Sequence, residues 1–155
     1  METTKFDEFD LRILRLLRDH GRMPLQDLSD RVGLSPTPVA RRVRNLEAAG
    51  VITGYAALID EAALGYPVSV FVSVKLDRQV DQALAQFEEA IQTFPEVVDC
   101  WLMTGNRDYL LRVVTDGLKG FEDFLTSRLT RLACVSSIES SIPLRRVKSG
   151  ICRPP

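Results

Sequence analysis

The sequence predicts an α+β protein in which a helix-turn-helix head over residues 1–50 is joined by a hinge strand and linker over 51–66 to a ferredoxin-like βαββαβ domain over 67–148. A tail of 149–155 completes the chain. Three observations predict this. Residues 24–52, PLQDLSDRVGLSPTPVARRVRNLEAAGVI, place two short apolar stripes of helical spacing on either side of Gly33. Residues 68–75 alternate Val68, Val70, Val72 and Val74 with Ser69, Phe71, Ser73 and Lys75, the period of a strand. Beyond them, two further helical stripes are interleaved with three strand-like segments in the order β-α-β-β-α-β.

In the head, Asp7 or Asp10 can cap a first helix whose apolar stripe is Phe6, Phe9, Ile13, Leu14 and Leu17, with Arg12, Arg15 and Arg18 outward and Gly21 as its stop. Leu25, Leu28 and Val32 define a second helix, and Gly33 supplies a turn residue for which φ > 0 costs nothing. The third opens on Ser35 as N-cap with Pro36 at its first position, where no backbone N–H is needed, and Gly50 closes it. Val39, Val43 and Leu46 form its apolar face. At about 100° per residue the opposite face collects Thr37, Arg41, Arg44 and Asn45, with Arg42 on the flank. A basic amphipathic helix is more often a solvated face than a nucleic-acid reader. Here the order of helix, Gly turn, capped helix with three arginines, and Gly stop matches a helix-turn-helix, whose second helix lies in a DNA major groove. The candidate DNA-facing set is Ser35, Thr37, Arg41, Arg42, Arg44 and Asn45. Two helices cannot bury their own apolar faces, so the first helix is the natural third member of the core.

VITGYAALI, from Val51, reads as a strand leading to a turn and linker punctuated by Gly65 and Pro67. After the 68–75 strand, Val80, Leu84, Phe87 and Ile91 predict a helix that stops at Phe94-Pro95. Val97 to Thr104 and Tyr109 to Val114 form a hairpin about residues 105–108. A last helix uses Leu118, Phe121, Leu125, Leu129 and Leu132, and a last strand lies within Val135 to Val147. Two helices cover one face of such a sheet. The other face, carrying Phe71, Trp101 or their neighbours, must find a second sheet, which predicts a homodimer. A charge on that bare face, at Val72 if it lies there, would split the pair.

With 155 residues, 45% hydrophobic and 26% charged, the chain has the composition of an ordinary soluble protein. The net charge of −1 gives no global pull towards DNA, so nucleic-acid contact must rest on a local patch and on more than one copy of it. No apolar run is long enough to span a bilayer and the N-terminus lacks a signal peptide's pattern, so the expected location is cytoplasmic, with no membrane partner. His20 is the only histidine, and Cys100, Cys134 and Cys152 have no CxxC spacing, which leaves no zinc site and no catalytic constellation. Glu61, Glu88 and Glu89 read as solvated, and no phosphate-cradling glycine loop is present. No enzyme activity and no cofactor are expected.

The segments FDEFDLRILRLLRDHGR, LSDRVGLSPTPVARRVRNLEAAGVI and FPEVVDCWLMTGNRDYLLRV together resemble the leucine-responsive regulatory protein/AsnC, or feast/famine, family of transcriptional regulators, nearly end to end. The resemblance implies a winged helix-turn-helix, a hinge strand and a ferredoxin-like domain that dimerises by its sheet, with dimers assembling to octamers. It also implies regulation of double-stranded DNA binding by a small effector, usually an amino acid. The family's effector pocket carries over to Met103, Thr104, Gly105, Asp108 and Tyr109, faced by Val135, Ser136, Ser137 and Ile138 of a neighbouring subunit. In that pocket Asp108 would accept from the effector's ammonium; read without the family, Gly105 and Asp108 would be a hairpin turn in which Asp caps its own backbone. Two features depart from the family's pattern. Ala133-Cys134 stands where relatives commonly have Pro-Gly, and Arg107 brings a bulky cation into the turn. The alternatives are an effector-independent architectural DNA-binding protein and a thiol redox sensor acting through Cys134.

Overall fold

The computed structural model describes residues 6–148 and Pro155. Its contacts divide the chain into two compact units, one holding the described residues up to Leu58 together with Lys148 and Pro155, the other Ile59–Val147.

The first unit is trihelical, with α1 (Glu8–Asp19), α2 (Leu25–Val32) and α3 (Pro36–Ala48). Both aspartates expected to start α1 take part in its cap. Asp10 N–H donates to Asp7 at 2.9 Å and Asp7 N–H donates to the Asp10 carboxylate at 3.3 Å, so two orphan donors are satisfied reciprocally. The helix ends at Asp19 with His20 as its C-cap, short of Gly21. Gly33 takes φ +81° at the α2–α3 turn, with open space where a Cβ would sit, so its role is conformational. Ser35 has the extended backbone of an N-cap, but its side chain makes no capping bond. At the far end Gly50 adopts φ +69°, its N–H donates to Glu47 and that of Val51 to Leu46, each at 2.9 Å. This is a Schellman closure. Ile13, Leu28, Val32, Val39 and Leu46 form the buried core. Phe9 is exposed despite its place in the predicted stripe, and its ring carries the Arg42 guanidinium at 5.5 Å.

The expected strand over 51–66 does not form among the described residues: 53–60 are unpaired and 61–65 turn. A strand exists only by pairing its backbone groups. Within this chain, residues 51–66 find no such partner.

The second unit is a four-stranded antiparallel sheet in the order β2-β3-β1-β4, formed by β1 (Val68–Leu76), β2 (Val97–Leu102), β3 (Tyr109–Thr115) and β4 (Val135–Ser141). Two helices, α4 (Asp81–Gln92) and α5 (Leu118–Ser127), complete the βαββαβ order. Val70, Val72, Val74 and Leu76 are buried with Leu111 and Val113 against Phe87, Ile91, Phe121 and Phe124. Val72 is therefore on the helix-covered face, not the bare one. Period 2 sends its neighbours Phe71 and Ser73 the other way. In register, Ser73 stands beside Leu110, and Leu110 beside Trp101, while Phe71 stands beside Arg112. Val80, expected on the α4 stripe, is the exposed residue preceding that helix. The last helical stripe is broken: α5 stops at Ser127 and Leu129 is buried from a 3-10 turn, Leu129–Arg131. β2 ends at Leu102, two residues early.

Candidate functional site

On α3, Ser35, Thr37, Arg41, Arg44 and Asn45 are exposed. Arg41 and Arg44 form no ion pair among the described residues, so both guanidinium forks are available for phosphate or for the O6 and N7 of a guanine. Arg42 does not belong with them. Its guanidinium makes 2.8 Å bridges to both Asp7 and Asp10, which lock α3 to the cap of α1. Asp10 above all, with Asp7, holds the guanidinium's pKa above its ordinary value. The sequence carries a signal for this. Arg42 is three residues after Val39 and four before Leu46, inside the inward stripe.

The β2–β3 turn and the start of β4 meet at one end of the sheet within a single chain. Gly105 adopts φ +110° in the turn, where Met103 and Thr104 are exposed. From the same turn Arg107 Nη1 donates to Ser137 Oγ at 2.6 Å, and Nη2 to Glu139 Oε2 at 2.7 Å. Ser137 and Glu139 are two residues apart on β4 and share its open face, whereas Val135 and Ile138 pack towards the helix-covered core. Ser136 Oγ donates to the Lys75 carbonyl at 3.1 Å.

Asp108 and Tyr109 turn away from that corner. The Asp108 carboxylate is buried, accepting from the Leu76 N–H at 2.7 Å and from Gln79 Nε2. It caps the β1–α4 loop rather than its own backbone or an exposed subsite, and each oxygen already accepts a hydrogen bond. Tyr109 lies in the core, its ring 4.4 Å from that of Phe87 and its hydroxyl donating to Glu88 at 2.7 Å. Burial, then Glu88, pushes the phenol's pKa upward. Glu88 is thus a hydrogen-bond partner rather than a free surface carboxylate. Glu61 is another, since it holds Arg112 through both oxygens at 2.9 and 3.0 Å while Asp99 takes Nε at 2.9 Å.

Cys134 does not replace a glycine conformation, because no described non-Gly residue has positive φ; the chain instead turns with Val135 N–H on the Leu132 carbonyl. Burial raises the Cys134 thiol's pKa, which disfavours the thiolate that redox chemistry requires. Burial, with Glu88 adding, likewise pushes Cys100 up to about 11. Cys152 lies outside the described residues. Among the described residues no cluster of three or more His, Cys, Asp or Glu could hold a metal ion, and no helix is long and apolar enough to cross a membrane.

Residues 6–53 match the winged helix-turn-helix DNA-binding family and residues 69–151 the Lrp/AsnC ligand binding domain. The chain is 48% identical over 143 residues to the Bkd operon transcriptional regulator of Pseudomonas aeruginosa, covering 92% of this chain and 94% of that one. It is 40% identical over 146 residues to the leucine-responsive regulatory protein of Rhizobium meliloti, covering 94% of each. In structure it is similar to a transcriptional regulator of Neisseria meningitidis solved as its L-Met complex. The TM-score is 0.92 at 33% identity, with 97% of both chains covered.

Proposed function

Because the chain belongs to the Lrp/AsnC family of transcriptional regulators, we propose that it binds double-stranded DNA through α3 under the control of a small effector, an amino acid. The observation that carries this reading is the free cation pair Arg41 and Arg44 on the exposed face of α3, in a chain whose second unit matches a ligand-binding domain. Residues 1–50 serve as the DNA-binding head, 51–66 as hinge and 67–148 as effector-binding and assembly domain. The homodimer forms through the open sheet face, and dimers assemble to octamers. Thr37 and Asn45 flank the arginines as base or phosphate contacts.

The effector site is the corner formed by Met103, Thr104 and Gly105 with Ser137, supported by the shared position of the turn and β4 and by the exposure of their polar groups. Thermal shift across the twenty L-amino acids tests this, since a ligand that binds only the native state raises Tm. The amino acid that does so should also change the anisotropy titration of a duplex selected from genomic fragments by the protein. Absence of any selected duplex would refute the DNA reading; affinity indifferent to all twenty amino acids would refute the effector reading and favour the architectural one.

A further inference from the structure

Asp108 is closed to solvent and each of its oxygens already holds a donor, so an effector's ammonium in the open corner does not reach it and needs another acceptor. One carboxylate stands at the corner where the turn meets β4: Glu139, tied to Arg107 at 2.7 Å. The ion pair is two-thirds exposed at Glu139 and one-third at Arg107. Pairs this open contribute little to stability, so exchanging partners costs little. Arg107 uses one N–H of each terminal nitrogen, on Ser137 and Glu139, and its fork has five in all. Lys75, opposite Ser137 in the ladder and exposed, adds a second cation to the same open face.

Building on the effector reading above, we infer that Arg107 and Glu139 are the polar recognition pair for a zwitterionic α-amino acid. The guanidinium takes the α-carboxylate, with Lys75 adding field, and the Glu139 carboxylate takes the α-ammonium. In the free protein each charge stands in for the ligand group that the other will meet. A zwitterion matches both at once. A 2-oxo acid lacks the ammonium and leaves Glu139 facing a carbonyl; an amine lacks the carboxylate and leaves Arg107 facing a methylene. Either loses a charge-assisted pair, so each should bind at least about tenfold more weakly than the amino acid.

Calorimetry on the full-length chain decides it. The amino acid giving the largest thermal shift is compared with its own 2-oxo acid and its decarboxylated amine, on wild type, Arg107→Ala, Arg107→Lys and Glu139→Gln. Arg107→Ala should weaken amino-acid and 2-oxo-acid binding by about tenfold or more, with partial recovery in Arg107→Lys. Glu139→Gln should weaken the amino acid by a similar factor and leave the 2-oxo acid unweakened. DNA affinity without ligand should match wild type in all three. If wild type binds an amino acid and both Arg107→Ala and Glu139→Gln bind it within twofold as tightly, the pair assignment is overturned and the effector reading stands. If wild type binds none of the twenty, the effector reading falls and takes the pair with it.

Discussion

Asp108 and Arg42 each hold their unit together by satisfying groups that would otherwise be orphaned. Asp108→Ala removes the acceptor for the Leu76 N–H at a buried site, which should cost about 1–3 kcal/mol, read as a lower urea midpoint at unchanged m-value. Asp108→Asn should cost less, because its amide oxygen can still accept from Leu76 and Gln79 can turn its own amide to present oxygen. Equal losses in the two variants would show that charge, not acceptor geometry, is what the site needs. For Arg42 the informative variable is pH. The Asp7 carboxyl is held below its ordinary range chiefly by the Asp10 N–H and then by Arg42. A carboxylate with a depressed folded pKa stabilises above its unfolded pKa of 3.8, and that contribution disappears as pH falls through the lower folded value. Arg42→Gln should therefore lower the head's thermal stability at pH 7 and lower it less at about pH 3; an equal loss at both would place the effect in packing over Phe9. Asp108 was legible in the sequence as chemistry but not as position, whereas the place of Arg42 between Val39 and Leu46 already marks it as inward. Asp108 reads as an exposed turn residue until the fold brings Leu76 and Gln79 over it, contacts 32 and 29 residues away.

At the scale of elements, α3 divides its three arginines between two tasks. Arg41→Ala or Arg44→Ala should weaken operator binding by about 1–3 kcal/mol if the residue reads a guanine. If instead it meets phosphate, the loss should be uniform across sequences and the salt slope should fall by about one. Arg42→Ala should keep the wild-type salt slope. Anisotropy titrations at several salt concentrations separate these cases, and wild-type affinity in both Arg41→Ala and Arg44→Ala would remove α3 from the interface. The helices were readable because their apolar stripes, the cap at Asp7 and the Gly50 closure are local signals. The 51–66 strand was not, since β-branched content at Val51 and Ile52 says nothing about whether a partner strand exists. The α5 stripe over-extended for a related reason: Leu129 keeps helical spacing in sequence but reaches the core from a tighter turn.

The whole molecule must solve two problems that one chain cannot: an uncovered sheet face and too little positive charge. On the open face, Phe71 and Leu110 are half-buried and Trp101 is exposed. An apolar strip of this kind needs a second sheet. Val72, although a neighbour in sequence, points into the helix-covered core, so Val72→Asp would bury an unpaired charge and unfold the unit rather than split the dimer. Leu110→Glu is the substitution that tests assembly, since its side chain stands between Ser73 and Trp101 on the face left bare. Its circular dichroism should match wild type, and sedimentation should report a monomer. With a net charge of −1 each head gathers few phosphate contacts, so affinity rests on tethering two heads, which raises the effective concentration of the second. The Leu110→Glu monomer should bind a two-half-site duplex about 10²–10⁴-fold more weakly than wild type, yet bind a single half-site about as well. A folded monomer that holds the full duplex as tightly as the parent would mean that one head suffices, and the open face would then need another explanation.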